Sequence, residues 1–238
     1  MSLPTHQQLR SALQTAQRTK NGGLGFHMWG VIVDRTGTVR AVTYSGEALG
    51  DQWLASRIIA AVKANAANAL SLDRLALSTA NLYSAVQPGG TLFGLAADAP
   101  VNIHAAYGGD PTQFGTESDC MIGKPIGGIG VFGGGLALYD ASGHVIGGLG
   151  VSGDLSCADH NICWKTRHIL ELDYVPAGVD PITHNERSDD NIIYDISGLT
   201  GKSKSGYGHP TCNDATEAIA RSLPQDYPVR APHAVGVG

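Results

Sequence analysis

The chain has 238 residues, of which 42% are hydrophobic and only 16% charged, a balance that suits one domain around one substantial core. A formal charge of −5, with sixteen scattered basic residues and no cationic block, excludes a phosphate-backbone binder from the expected classes, so no nucleic acid partner is expected. No run approaches the ~18 apolar residues that span a bilayer, and the opening MSLPTHQQLR lacks the basic-then-apolar pattern of a secretion signal, so the expectation is no membrane and a cytoplasmic location.

In chain order, Thr5 and Gln8 fit a capping box that opens a helix over residues 5–19. Leu9, Ala12, Leu13 and Ala16 form its apolar stripe, and Asn21-Gly22-Gly23 stops it. Met28–Val33 and Val39–Thr43 read as a hairpin around the Asp-led turn Asp34-Arg35-Thr36-Gly37. A helix is predicted from about Asp51 to Leu70, with Leu54, Ile58, Val62 and Ala66 as its core face and Lys63, Asn65 and Asn68 mostly off it. Its many alanines admit a close neighbour, and with the weakly charged composition they suggest a homo-oligomer. A short helical piece fits Ser78–Val86, and residues 88–128 are mostly loop, long enough to suggest a functional role.

The second half repeats the first in outline. Ile129–Tyr139 and Val145–Val151 are strand-like, separated by Asp140-Ala141-Ser142-Gly143, and the pattern D-x-x-G-x-V occurs at Asp34–Val39 and again at Asp140–Val145. A helix follows each hairpin. The fold class is therefore α/β of the α+β kind, an antiparallel sheet flanked by helices and built from two β-hairpin–helix units. Ser156 and Asp159 fit an S-x-x-D capping box that starts the second of these helices, which runs to about Leu172 with Ala158, Ile162, Ile169 and Leu172 on its apolar side. Residues 1–173 form the α/β domain. Residues 174–238 are an extension packed on it, mostly loop, with a short edge strand at Asn191–Ile196, one helix at Asp214–Leu223 and surface coil from Pro224.

Several constellations could carry chemistry. Glycine weakens a strand, so the cluster from Gly127 to Gly135 needs a reason: a flat ligand against the backbone, for which Gly127 and Gly128 are the candidates, or a helix pressed close on the sheet. The G-x-G-x-x-G inside it does not open a helix and is no dinucleotide fingerprint. Free N–H groups at the turn into the second helix could let Gly153 and Ser156 hold an anion, unless side chains satisfy those donors themselves. Asp154, Asp159 and His160 at the same turn are candidate acid–base groups for a metal-assisted enzyme acting on a small carboxylate or ring compound. Cys157, His160, Trp164 and His168 share one side of the helix. Cys157 and His160 could hold a divalent metal ion with help from His104, His27 or the His209-x-x-Cys212 pair; the alternative is a capped helix end with a partly buried imidazole. Lys124 could meet a ligand carboxylate, and the shared sheet is expected to bring its loop beside the Asp154 turn. The four cysteines, Cys120, Cys157, Cys163 and Cys212, include no CxxC pair and read as buried reduced thiols.

The run VIVDRTGTV from Val31, the alanine-rich helix after it and the run GGLGVSG from Gly147 resemble the GlcG-type haem-binding, or haem-degrading, domain family. VFGGGLALYD from Val131 and GDLSCADHN from Gly153 resemble a subgroup of it, and the same region is similar to the C-terminal part of some corrinoid adenosyltransferases. The resemblance covers roughly residues 5–172 and transfers a motif to Gly150, Val151, Ser152 and Gly153. It implies a profilin-like fold, a homo-oligomer, and haem or a related flat anionic small molecule as ligand. It transfers no iron-binding position; haem iron needs only one or two axial ligands, for which His160, His168 and His104 are the candidates.

Overall fold

The computed structural model describes residues 2–179 and 189–233. Helix α1 (His6–Gln17) carries the expected capping box: the Thr5 hydroxyl accepts from the Gln8 amide, and the Gln8 side chain accepts from the Thr5 amide. Strands β1 (Trp29–Asp34) and β2 (Val39–Tyr44) form the first hairpin, and β3 (Gly135–Tyr139) and β4 (Val145–Ser152) the second. Their turns are built alike. Asp34 accepts from the Thr36 and Thr38 amides, Asp140 accepts from the Ser142 and His144 amides, and Gly37 and Gly143 both take positive φ. Each hairpin also carries an irregularity, at Ile32/Val33 and at Leu138/Tyr139.

The sheet is four-stranded and antiparallel, in the order β2-β1-β4-β3, so the hairpins join side by side through β1 and β4. Strand alternation divides the core. Ile32, Leu136, Leu138, Leu149 and Val151 pack with Leu9 and Leu13 of α1 and with Ile162 and Trp164 of α4 (Ser156–Ile169). Trp29, Val31, Val33 and Val42 face α2 (Ser56–Leu70) on the other side. Two antiparallel hairpins thus share one layer with helices on both faces, as the duplicated pattern predicts.

Helix α2 is rotated from the expected face. Ala60, Ala61, Ala64 and Ala67 are buried with Lys63 and Asn68, whereas Leu54 lies before the helix and is exposed. The strand glycines are the reason. A Cβ on Gly150 would lie 1.8 Å from the Ala60 carbonyl oxygen, and one on Gly148 would lie 2.2 Å from that of Ala64. On β3, which starts only at Gly135 rather than near Ile129, a Cβ on Gly135 would lie 2.6 Å from the Lys63 carbonyl oxygen, and Gly130, in the segment before β3, lies against the Lys63 side chain and backbone. Glycine on the sheet and alanine on the helix let the two backbones nearly touch, so the glycine cluster serves helix–sheet packing. The alanines that suggested an oligomer are spent inside the monomer.

Other elements differ in extent. Residues 78–86 form two 3-10 turns, Thr79–Leu82 and Ser84–Val86, and the long loop contains a short helix, α3 (Ile103–Tyr107). Residues 191–196 do not form a strand; they run along α4, where Asn191 and Ile192 bond to His160. Helix α5 (Asp214–Asp226) passes through Pro224, and the chain beyond it is packed: Tyr227 and Val229 join the main core, and Arg230 pairs with Asp173. The expected coil therefore does not begin at Pro224; residues 234–238 lie outside the described residues.

Candidate functional site

The β4–α4 turn collects Gly153, Asp154, Ser156, Cys157, Asp159 and His160, but most of their polar groups are used up on one another and on neighbouring segments. Asp154 accepts from the Leu24, Gly25 and Phe26 amides. Asp159 accepts from the Gly153 and Asp154 amides and from buried Lys63, whose Nζ lies 2.6 Å from Oδ2. Burial pushes the Asp159 carboxyl up to about 6, against the pull of Lys63. A Cβ on Gly153 would strike the His27 carbonyl oxygen. The helix begins at Ser156 as expected, yet without the capping box: Leu155 is the N-cap, and the Ser156 hydroxyl sits beside His209 and Cys212. Side chains thus satisfy the donors that an anion would need, and the anion site at Gly153 and Ser156 is not formed.

The stripe along α4 is where the extension docks. Cys157 is disulfide-bonded to Cys212, which corrects the reading of four reduced thiols and removes its sulfur as a metal ligand while the bond is intact. His160 is fully buried; its Nε2 meets the Asn191 side-chain oxygen at 3.0 Å, and its Nδ1 has no hydrogen-bond partner among the described residues. Desolvation holds its pKa down at about 4, so the ring is neutral. The Trp164 indole donates to the Tyr227 carbonyl. His168, at the far end, bonds Asp173 at 2.7 Å and meets the edge of Tyr227. Neither His160 nor His168 lines a described cavity. Among the described residues no group of three or more His, Cys, Asp or Glu side chains is placed to hold a metal ion, so the set of Cys157, His160 and His104 does not come together.

Lys124 does not approach Asp154. Its carbonyl accepts from the Val39 amide at the tip of the first hairpin, whereas Asp154 follows Ser152, which pairs with Trp29 at the opposite end of β1. The length of β1, about 17 Å, separates them. Gly127 and Gly128 take positive φ and are enclosed by Pro100, Val62 and Val101 rather than open to a ligand. His104 is exposed on α3.

An apolar cavity of about 460 Å³ lies elsewhere, between the start of α2 and residues 103–114, walled by Trp29, Leu54, Ile58, Tyr107 and Phe114. That volume falls within the range of small-molecule sites. Arg57 holds its roof in place. The guanidinium bonds both oxygens of buried Asp119 and the Ala106 carbonyl, and stacks 3.8 Å from the Phe114 ring centre. Asp119 in turn accepts from the Gly115 and Met121 amides. Trp29 is fixed by its indole N–H bond to the Trp53 carbonyl and by edge contact with Tyr44. Tyr107 lines the cavity yet is 71% exposed, and His104 lies one turn earlier on the same short helix. The sequence reading assigned none of these walls; its only signal was the length of the loop that carries Tyr107 and Phe114.

A helix-flanked antiparallel sheet with an apolar cavity at one corner defines an α+β small-ligand-binding domain. The chain belongs to the family of haem-degrading proteins described as HbpS-like, whose model matches residues 4–167. It is on that footing a small-molecule-binding protein of a haem-handling family, and no helix among the described residues is long and apolar enough to cross a membrane. Among solved structures, the chain is similar to a PduOC–haem complex at 26% identity, covering 71% of this chain and 95% of that one, with a TM-score of 0.49. It is also similar to the Klebsiella pneumoniae protein ORFY at 22% identity, covering 71% and 94%, with a TM-score of 0.48. No curated protein matches.

Proposed function

We propose that this protein binds haem in the cavity beneath Arg57 and Phe114, with Tyr107 as the side chain placed to reach the iron and His104 as a second donor one turn away. The observation that carries the proposal is the cavity itself: apolar, aromatic-walled, about 460 Å³, and edged by an exposed phenol. Apolar walls suit the porphyrin face, and a tyrosine oxygen is a known type of donor to haem iron. Bound haem would supply a redox-active iron centre, which the Tyr107 phenol oxygen would hold. His160 and His168, expected from the sequence as ligands, are engaged with Asn191 and Asp173 instead.

The division into a domain at 1–173 and an extension at 174–238 belongs to the same proposal, since the family match ends at residue 167. Phe26, Trp53 and Leu54 stay exposed beside the cavity and support the expected homo-oligomer, which sedimentation would detect. The Cys157–Cys212 bond favours an oxidising compartment over the cytoplasm.

Haemin titration followed by its Soret band tests the site. Saturable binding is expected. Leu54→Arg, which puts a charge at the cavity, should weaken it at least tenfold, and Tyr107→Phe should shift the band. His168→Ala should leave both unchanged. Undiminished affinity in Leu54→Arg, or loss of the band in His168→Ala, would overturn the assignment.

A further inference from the structure

The Cys157–Cys212 bond sits in surroundings that suit reaction more than simple bracing. Cys157 is fully buried in the first turn of α4, while Cys212 is only half-buried, in the segment leading into α5. The Cys157 amide donates to the Cys212 sulfur at 3.3 Å, and the Ser156 hydroxyl lies 3.7 Å from the same sulfur. The His209 ring stands against the other sulfur, with Nδ1 3.9 Å from Cys157 Sγ. Its Nδ1–H donates to the Pro210 carbonyl, and its Nε2 accepts from the Gly133 amide, so the imidazole is fixed beside the bond.

We propose that this disulfide is a thiol-exchange centre, attacked at Cys212 by low-mass thiols and releasing Cys157 as the leaving thiolate. Access selects the sulfur, because Cys212 alone reaches solvent. Attack at Cys212 fixes the leaving group as Cys157, which sits in the first turn of α4, where the helix dipole favours a negative charge. Burial keeps His209 neutral, so it contributes position rather than charge.

In the first step the thiolate of a monothiol, RS⁻, attacks Cys212 Sγ. The sulfur–sulfur bond breaks, its electron pair stays on Cys157, and a mixed disulfide RS–S forms at Cys212. A second RS⁻ attacks the outer sulfur of that adduct, giving RSSR and the Cys212 thiolate. In sum, two thiols are oxidised to one disulfide, the protein bond gains two electrons, and the two protons lost by the thiols balance those taken up by the cysteines. Reduction also unties residues 209–213 from α4, where the Cys157, Ile192 and Ala220 cluster now holds the extension.

The test uses the oxidised full-length chain under native conditions with glutathione as the probe. Acid quenching, alkylation and peptide mapping then locate each sulfur. The expected result is a glutathione adduct on Cys212 with a free thiol at Cys157, formed at least tenfold faster than global unfolding followed by tryptophan fluorescence in the same buffer. An adduct on Cys157, or exchange no faster than unfolding, overturns the proposal. A Cys120→Ser variant, which removes the other half-buried thiol, should give the same map and rate; loss of the Cys212 adduct in that variant also overturns it.

Discussion

Gly150→Ala tests the central packing claim, that strand glycines and helix alanines bring α2 onto the sheet at near backbone contact. The added methyl would sit 1.8 Å from the Ala60 oxygen and 2.6 Å from the Ala64 nitrogen, both rigid backbone atoms. Ordinary contact begins at 3.4 Å, so α2 must retreat by about 1.6 Å. A gap of even ~0.5–1 Å forfeits a quarter to a half of each dispersion contact along the interface, and the same retreat stretches the Lys63–Asp159 pair. Overpacking usually costs ~1–3 kcal/mol, and with backbone on both sides the upper end, about 3 kcal/mol, is expected here. Urea unfolding monitored by tryptophan fluorescence gives the value, with an unchanged m-value as the sign of intact two-state behaviour. Gly50→Ala is the control: nothing lies within 4 Å of its added methyl, so it should stay within ~0.5 kcal/mol of wild type. If Gly150→Ala also falls within that margin, the packing argument is refuted. Because Ile58 of α2 lines the cavity, Gly150→Ala should weaken haemin binding as well.

Lys63→Met leaves the Asp159 carboxyl buried without its cation and should cost about 3–5 kcal/mol in the same urea assay; adding Asp159→Asn should recover a large part, and no recovery would show that the charge is not the cause. Replacing Cys157 and Cys212 by serine opens a crosslink spanning 55 residues and should cost up to about 4 kcal/mol by loop entropy; a loss below ~1 kcal/mol would mean the unfolded chain is already restrained there. Stability should fall as pH drops from 6.5 towards 4, because buried His160 and His209 have folded pKa values near 4 and the unfolded chain binds the extra protons. His160→Gln should flatten that slope by up to about 3 kcal/mol over the interval. Asp159, pushed up to about 6, tilts the curve the other way, so the histidine contribution is the difference between wild type and variant; identical curves would show that His160 is not buried as a neutral ring.

The hairpins and α1 were legible because their signals are local. Asp34 and Asp140 hold their own turns, Thr5 and Gln8 cap their own helix, and apolar spacing marks the face of α1. The face of α2 was not legible. Leu54, Ile58 and Val62 are the greasier residues, but the sheet presents glycine backbone, and only alanine fits against it. The site was obscured for a related reason. Arg57 and Asp119 are 62 residues apart, and Cys157 and Cys212 are 55 apart, so their partnerships have no periodic trace in the sequence. The α4 stripe of Cys157, His160 and Trp164 stood out because it is polar and aromatic, yet its purpose was to receive residues 191–227, whose course along the helix only the folded chain reveals.

The main chain around Lys124 has a protective consequence. Its carbonyl and the Gly123 amide bond to Val39 at the outer side of β2, and Leu172 and Asp173 do the same for Tyr139 on the outer side of β3. Both open margins of the sheet are thus partly stoppered by the chain's own loops, which denies an incoming strand the row of free amides and carbonyls that it would need to add on. Self-association of this molecule is then favoured through side-chain surfaces, and lengthening of the sheet into a fibre is hindered at one end of each rim.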